Sequence, residues 1–298
     1  MKISFNKNIK LLVAGILFAL LWPSASVTTK IGLQYAQPFV IAVIRFFFAG
    51  IIMLIAAHIV FKKKLPQQSQ WKQLAIYGFL NITTYLGLYV IAMQNVSAGL
   101  GSLSIATNPV LISLISTIWF KQPLKREVIV SLLLCFTGVV IAAYPLLMLS
   151  YATPTGLALL ISSMLCYSVG AIYFSRCSWN QLHILTINGW QTILGGLFLL
   201  PLAIYFYDGS KNNYTVTLFA CIAWLAVPVS IAAVQLWLYL LKDNPVKASF
   251  WLFLCPVFGF VLAAFVMKEP LGWFTLAGVL LVVAGLYLVQ KQKRVSAT

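Results

Sequence analysis

Carboxylates are nearly missing from this chain. Glu127, Asp208, Asp243 and Glu269 are the four acids in 298 residues, set against 20 lysines and arginines and two histidines. Hydrolases, transferases and intramembrane proteases need paired acids, a His/Asp/Glu metal set, or a nucleophile with its base. Acids confined to loops and helix ends, with His58 and His183 far apart in sequence, supply none of these. No catalytic residue, metal site or cofactor is therefore assigned. No glycine-rich phosphate loop occurs, so direct drive by ATP has no support. Charge of either sign is scarce, at 8% of residues against 62% hydrophobic. A soluble domain needs several times more surface charge. The five cysteines (Cys135, Cys166, Cys177, Cys221, Cys255) lie in or beside apolar runs, without CxxC or His/Cys ligand spacing. They read as small packing residues.

What the chain has is long apolar runs. Ten are of bilayer-crossing length: roughly 10–30, 38–61, 71–94, 97–120, 125–145, 154–176, 181–207, 215–241, 246–267 and 271–290. The lipid bilayer is thus the expected surroundings. The first run follows Lys2, Lys7 and Lys10, as a signal peptide would, but its apolar character continues to Lys30, so a retained helix is expected. A net charge of +16 suggests nucleic acid only when it sits on a soluble face. Here the basic residues lie in the connections, and no nucleic-acid partner is expected. With the N-terminus in the cytoplasm, 16 basic residues fall inside and only Lys30, Lys211 and Lys268 outside. This positive-inside bias predicts both termini cytoplasmic.

Residues 97–142 recur without a gap as residues 244–289. Ser102 pairs with Ser249, Pro109 with Pro256, Lys121 with Lys268, Pro123-Leu124 with Pro270-Leu271, and Gly138 with Gly285. Lys-x-Pro-Leu at a fixed distance after a proline is hard to obtain by chance, and a long-period repeat orders every other reading. Two halves follow, 1–148 and 149–298, of five helices each. An odd number inverts the second half. The expected fold is an all-α integral membrane protein of ten transmembrane helices, arranged as two inverted five-helix repeats around a central cavity. Secondary transporters use this device, with the substrate held near the midplane.

Polar and aromatic residues at membrane depth give the candidate site. Trp22 precedes Pro23 in the first run, with Ser26 and Lys30 on its face. Arg45 is the one formal charge clearly inside an apolar run, either a partner for a substrate anion or a snorkelling structural arginine. Asn81, Thr84, Tyr85, Leu88 and Tyr89 form a stripe at helical spacing. Asn108 stands beside a proline-freed carbonyl, where lipid cannot satisfy its amide. Tyr167, Asn188, Gln191, Gln235 and Tyr239 follow. Trp251 occupies the face that Ser104 occupies in the first copy. Substrate-binding candidates are thus Trp22, Arg45, Asn81, Tyr85, Asn108, Tyr167, Asn188, Gln191, Gln235, Tyr239 and Trp251. Pro109 and Pro256 are candidate hinges or static kinks.

These residues carry a resemblance. Trp22 with Lys30, Pro38 with Arg45, Asn108-Pro109-Val110 to Lys121-Gln-Pro-Leu124, Cys255-Pro256-Val257 to Lys268-Glu-Pro-Leu271, and Gly138 with Gly285 together resemble the drug/metabolite transporter superfamily, ten-helix EamA type. Pro23 and Gln122 depart from its usual glycine and glutamate. The resemblance implies two five-helix bundles around a central cavity in the bacterial inner membrane. It also implies export of amino acids, other metabolites or toxic compounds, with organic-phosphate and nucleotide-sugar exchangers as relatives. The expected partner is a small organic substrate, and the expected state a monomer. No acid lies at membrane depth, so exchange or uniport of a zwitterion, anion or neutral metabolite is expected ahead of proton-driven export of cations.

Overall fold

The computed structural model describes residues 2–105, 107–119, 121, 126–149, 151–180, 182–243, 251 and 254–295. Every regular element among them is helical. In chain order these are α1 (Lys2–Gly32), α2 (Pro38–Val60), α3 (Gln68–Ala92), α4 (in two pieces, Ala98–Ile105 and Asn108–Trp119), α5 (Arg126–Met148), α6 (Pro154–Arg176), α7 (Ile184–Tyr205), α8 (Val216–Trp224 and its continuation to Asp243), α9 (Leu254–Met267) and α10 (Trp273–Val295). Eight of them, α1 to α8, are long and apolar enough to cross a membrane. In α9 and α10 the described apolar parts, Leu254–Met267 and Trp273–Gly285, are shorter. The expected start of the ninth run falls at 244–250 and 252–253, outside the described residues, as do Gln122, Pro123 and Leu124.

Local chemistry sets the helix ends. α2 opens on Pro38, whose missing N–H costs nothing in a first turn. Before α3, Gln67 and Gln70 form a capping box, with the Gln67 N–H donating to Gln70 Oε1 at 2.7 Å. Thr215 caps α8 by accepting from the Leu218 N–H at 3.2 Å. Lys121 and Lys268, paired by the repeat, both take the left-handed conformation just after a helix (φ 50° and 54°), as does Lys62 after α2 (φ 48°). Glycine usually ends helices this way.

Three helices widen into π-helical turns: α2 at Ile55–Val60, α3 at Phe79–Leu86 and α8 at Leu225–Ala233. The last contains Pro228, whose lost N–H and ring bulk a wider turn accommodates. The α3 segment changes the face read from a regular 3.6-residue spacing. Thr84 Oγ1 turns inward to the Phe79 and Leu80 carbonyls, at 3.1 and 2.7 Å. Thr83 instead reaches a neighbouring helix. Pro109 differs from a mid-helix kink: it is the second residue of Asn108–Trp119, after a turn at Thr107, where a proline removes no hydrogen bond.

The chain forms two compact units, and each draws on both sequence halves. One contains Met1–Val27, Val96–Thr153 and Pro228–Thr298; the other contains Thr28–Asn95 and Pro154–Val227. In the first unit α5 and α10 pack backbone to backbone. A Cβ on Gly138 would stand 2.7 Å from the Gly278 carbonyl oxygen, and one on Gly285 would stand 2.8 Å from both the Ser131 oxygen and the Cys135 sulfur. The two glycines matched by the repeat thus serve one helix contact, where small residues permit close approach. Within the same unit Ser102 Oγ lies 3.2 Å from the Pro23 carbonyl and 3.0 Å from Ser26 Oγ.

Glu269 supplies a charged contact within this unit. It is buried, and its two carboxylate oxygens accept from the Ala98 and Gly99 N–H groups at 2.6 and 3.1 Å. A carboxylate from the loop after α9 therefore caps the positive end of α4. In the second unit α2, α3 and α7 meet at small residues. A Cβ on Gly78 would stand 2.6 Å from the Gln191 oxygen, and Thr83 Oγ1 donates to the Gly195 carbonyl at 2.8 Å. Ala42, Phe46, Ile82, Val90 and Leu199 form the apolar core around this junction.

Two stability outcomes follow. Glu269→Ala strips two buried N–H groups of a charged acceptor and is expected to cost about 2–4 kcal/mol, with Glu269→Gln losing less. Thermal unfolding of the purified protein reads both, and an unchanged midpoint in the alanine variant would contradict the cap. Gly138→Leu is expected to cost at least about 2 kcal/mol by forcing α5 from α10. The same substitution at Gly272, which has nothing within 4 Å of a Cβ position, should be tolerated.

Candidate substrate site

Each unit brings together its own set of the sequence-derived candidates. In the second unit α2 carries Arg45 two turns beyond Pro38, buried at 9% exposure. Tyr85 and Tyr89, from the widened part of α3 and the turn after it, lie within electrostatic reach of the guanidinium. The ring of Tyr167, from α6, lies 4.9 Å from that of Tyr85 and tilted by 60°, and the Tyr89 ring lies 6.2 Å from Tyr85. α6, α3 and α2 thus place one cation and three phenols in one unit.

Beside them runs a string of amides. Asn81 Nδ2 donates to Gln191 Oε1 at 3.2 Å, and Gln191 Nε2 donates to Asn188 Oδ1 at 2.9 Å. Gln191 is buried, whereas Asn81 and Asn188 are partly accessible. The string leaves hydrogen-bonding capacity at both ends: the Asn81 carbonyl oxygen and the Asn188 amide make no other hydrogen bond among the described residues. One end can accept and the other can donate. A polar organic molecule would find a cation, aromatic faces, an acceptor and a donor in this unit.

In the first unit Trp22 and Trp251 pack against a cluster of Ala14, Phe18, Ala233, Leu240 and Cys255. The Phe18 ring stacks on Trp237 at 5.0 Å and lies 5.7 Å from Trp22. The Trp251 indole sits directly on Gly15, where no larger residue would fit. Asn108 is buried, and among the described residues neither its Oδ1 nor the buried Gln235 Nε2 has a hydrogen-bond partner. Orphaned amides at membrane depth are costly unless water or a ligand meets them. Tyr239, by contrast, is 44% exposed and stands outside the apolar cluster that holds its neighbours Leu236, Trp237 and Leu240. The side chain of Pro109 lies outside the described residues.

Two further basic residues have structural duties. Lys30 Nζ donates to the Met93 and Gln94 carbonyls at 2.9 and 3.3 Å, where it neutralises the negative end of α3. His183 caps α7 by accepting from the Leu185 N–H at 3.2 Å. Desolvation, and then the nearby Lys63, hold its pKa below the usual histidine value. In the loop after α7, hydrogen bonds from Ser210 and then Lys211 hold the Asp208 carboxyl below the usual carboxylate range. Gln37 ties that loop to the start of α2: its side chain donates to the Phe206 carbonyl at 2.8 Å and accepts from the Asp208 and Asn212 N–H groups at 2.8 and 2.9 Å. Among the described residues no group of three His, Cys, Asp or Glu side chains could hold a metal ion.

Sequence reasoning missed Thr83 and the duty of Glu269. Thr83 was hidden by the π-helical turn, which no residue pattern announced. Glu269 carried a signal in retrospect, since it is one of four acids and stands inside the repeated Lys-x-Pro-Leu.

Comparison with known proteins agrees in extent and kind. The EamA-like transporter family matches twice, over residues 9–144 and 154–290. An uncharacterized transporter of Bacillus subtilis (strain 168), YvbV, is 24% identical, covering 94% of this chain and 90% of its own. Protein PecM of Dickeya dadantii (strain 3937) is 26% identical, covering 90% of this chain and 88% of its own. An uncharacterized inner membrane transporter of Escherichia coli (strain K12), YedA, is 27% identical over 92% of this chain and 91% of its own. A solved crystal structure of a protein shares the fold with a TM-score of 0.66, at 16% identity and with coverage of 97% and 99%. The family and most of these names describe membrane transporters rather than enzymes. With both halves matched and eight helices of crossing length, this chain is a multi-pass membrane protein and belongs to the EamA-like transporter family of the drug/metabolite transporter superfamily.

Proposed function

We propose that the protein exports amino acids, or closely related small organic acids and zwitterions, across a bacterial inner membrane by alternating access. The observation that carries this reading is the buried Arg45 in the unit that also holds Tyr85, Tyr167 and the open-ended Asn81–Gln191–Asn188 string. A guanidinium at membrane depth suits a carboxylate, through paired charge-assisted hydrogen bonds. The spare acceptor of Asn81 suits an ammonium or hydroxyl, and the tyrosine rings suit an apolar side chain. In the first unit Trp22, Trp251, Asn108 and Gln235 supply a further aromatic and amide-lined surface.

The architecture we propose is ten transmembrane helices in two inverted repeats, 1–148 and 149–298, with both termini cytoplasmic. The scarcity of acids supports exchange or uniport ahead of proton antiport. An exchanger of organic phosphates is the second reading. It wants more than one cation on the ligand, and Lys30 is engaged with the carbonyls ending α3, so the first reading is preferred. A multidrug exporter of cations would want a carboxylate at membrane depth, and the chain's four acids lie in loops or at helix ends.

Transport by site variants tests the reading. Arg45→Ala is expected to lower amino acid transport by about ten- to hundredfold, the worth of one charge-assisted contact. Arg45→Lys should retain part of the activity. Asn81→Ala and Trp251→Ala should each lower transport while the protein still inserts in the membrane. Full transport by Arg45→Ala in correctly inserted protein would rule out the guanidinium as a substrate partner.

A further inference from the structure

The end of α2 is built in an unusual way. Its last π-helical turn, Ile55–Val60, runs into Phe61 and three consecutive lysines, Lys62, Lys63 and Lys64. The lysine run is fixed to the helix rather than free to wave. The Phe61 N–H donates to the Ala56 carbonyl at 2.9 Å and the Lys63 N–H to the Ala57 carbonyl at 2.8 Å, with Lys62 in the left-handed conformation between them. His58 secures the turn. Trp190 Nε1 can only donate, so His58 Nε2 accepts its bond at 3.1 Å, and His58 Nδ1 donates to the Lys63 carbonyl at 2.9 Å. The backbone of the run is thereby tied to α7 of the same unit.

All three lysine side chains point outward and are exposed. So are the apolar residues on both sides, Ile59, Val60, Phe61 and Leu65, each 57–70% exposed. Lys72, in the first turns of α3, is exposed as well, and His183, before α7, lies near enough to Lys63 to feel its charge. No acid of the same unit balances this end. Among residues 28–95 and 154–227 the one carboxylate is Asp208, at the opposite end of α7.

Exposed apolar residues beside a fixed row of ammonium groups, at the end of a membrane-crossing helix, match a phospholipid on both counts. The apolar side chains belong among acyl chains, and the ammonium groups belong with phosphates. Lysines that gather where a helix leaves the bilayer attract anionic lipid in proportion to their number, and salt screens the attraction. We infer that residues 59–65, with Lys72 beside them, form a docking surface for anionic phospholipid, separate from the substrate site. An acidic polypeptide would meet the lysines but leave Ile59, Val60, Phe61 and Leu65 without a partner.

The test uses full-length protein in detergent, titrated with phosphatidylglycerol or phosphatidylcholine and read by native mass spectrometry. The wild type is expected to retain phosphatidylglycerol on the order of tenfold to hundredfold better than phosphatidylcholine, the preference falling as salt rises. The variant K62Q/K63Q/K64Q should lose most of that preference. A variant losing the same charge elsewhere, K291Q/K293Q/R294Q, should keep it. Equal preference in both variants, or none in the wild type, overturns the assignment, and so does tight capture of an acidic peptide with indifference to lipid. A second readout needs no variant. The His183 titration, followed by NMR, is expected to move to higher pH in phosphatidylglycerol nanodiscs than in phosphatidylcholine ones, because a bound anion offsets Lys63. An unmoved titration counts against the surface.

Discussion

Every backbone polar group that loses its helical partner inside a bilayer must find another within the protein. Much of this structure answers that constraint. Prolines stand in or at the start of several membrane helices. At Pro228 the helix widens into π-helical geometry. At Pro109 a new helical segment begins, so the missing N–H falls where none is needed. The first N–H groups of α4 are met by the Glu269 carboxylate. A chain with four acids thus uses one of them to close a helix end.

The same constraint separates polar groups that serve the frame from those open to a ligand. Thr83, Lys30 and Glu269 bond backbone groups, and Ser102 bonds the Pro23 carbonyl and the Ser26 hydroxyl. Asn81 and Asn188 bond into a side-chain string whose ends stay open, and among the described residues the buried atoms Asn108 Oδ1 and Gln235 Nε2 are unmet. Residues of the second kind carry a structural cost that packing alone does not return. They are where a transported molecule, or the water it displaces, has most to offer.

Much of the helical order was legible in the sequence, because apolar runs of bilayer length have few other solutions. The repeat was legible too, and its physical content is visible in the paired lysines. Lys121 and Lys268 share a left-handed conformation at equivalent helix ends, and Gly138 and Gly285 meet in one contact between α5 and α10. The packing partners were not legible. A repeat read along the chain does not say that α4 and α9 stand in one unit while α2 and α7 stand in the other. The π-helical turns were also hidden, since nothing in Phe79–Leu86 distinguishes i→i+4 from i→i+5 bonding. That shift reassigned Thr83 and Thr84 to structural duties. Tyr239 shares a helix face with Gln235 by spacing, yet its side chain is 44% exposed.

Counterflow bears most directly on the central claim, that this chain moves amino-acid-like solutes without an obligatory ion gradient. Purified protein in liposomes is loaded with an unlabelled amino acid, organic phosphate or organic cation, and uptake of labelled amino acid is followed with no ion gradient. The account predicts that internal amino acids accelerate uptake of labelled amino acid, while internal phosphates and cations do not. Exchange confined to phosphate esters or to organic cations, by protein shown to be folded, would contradict it.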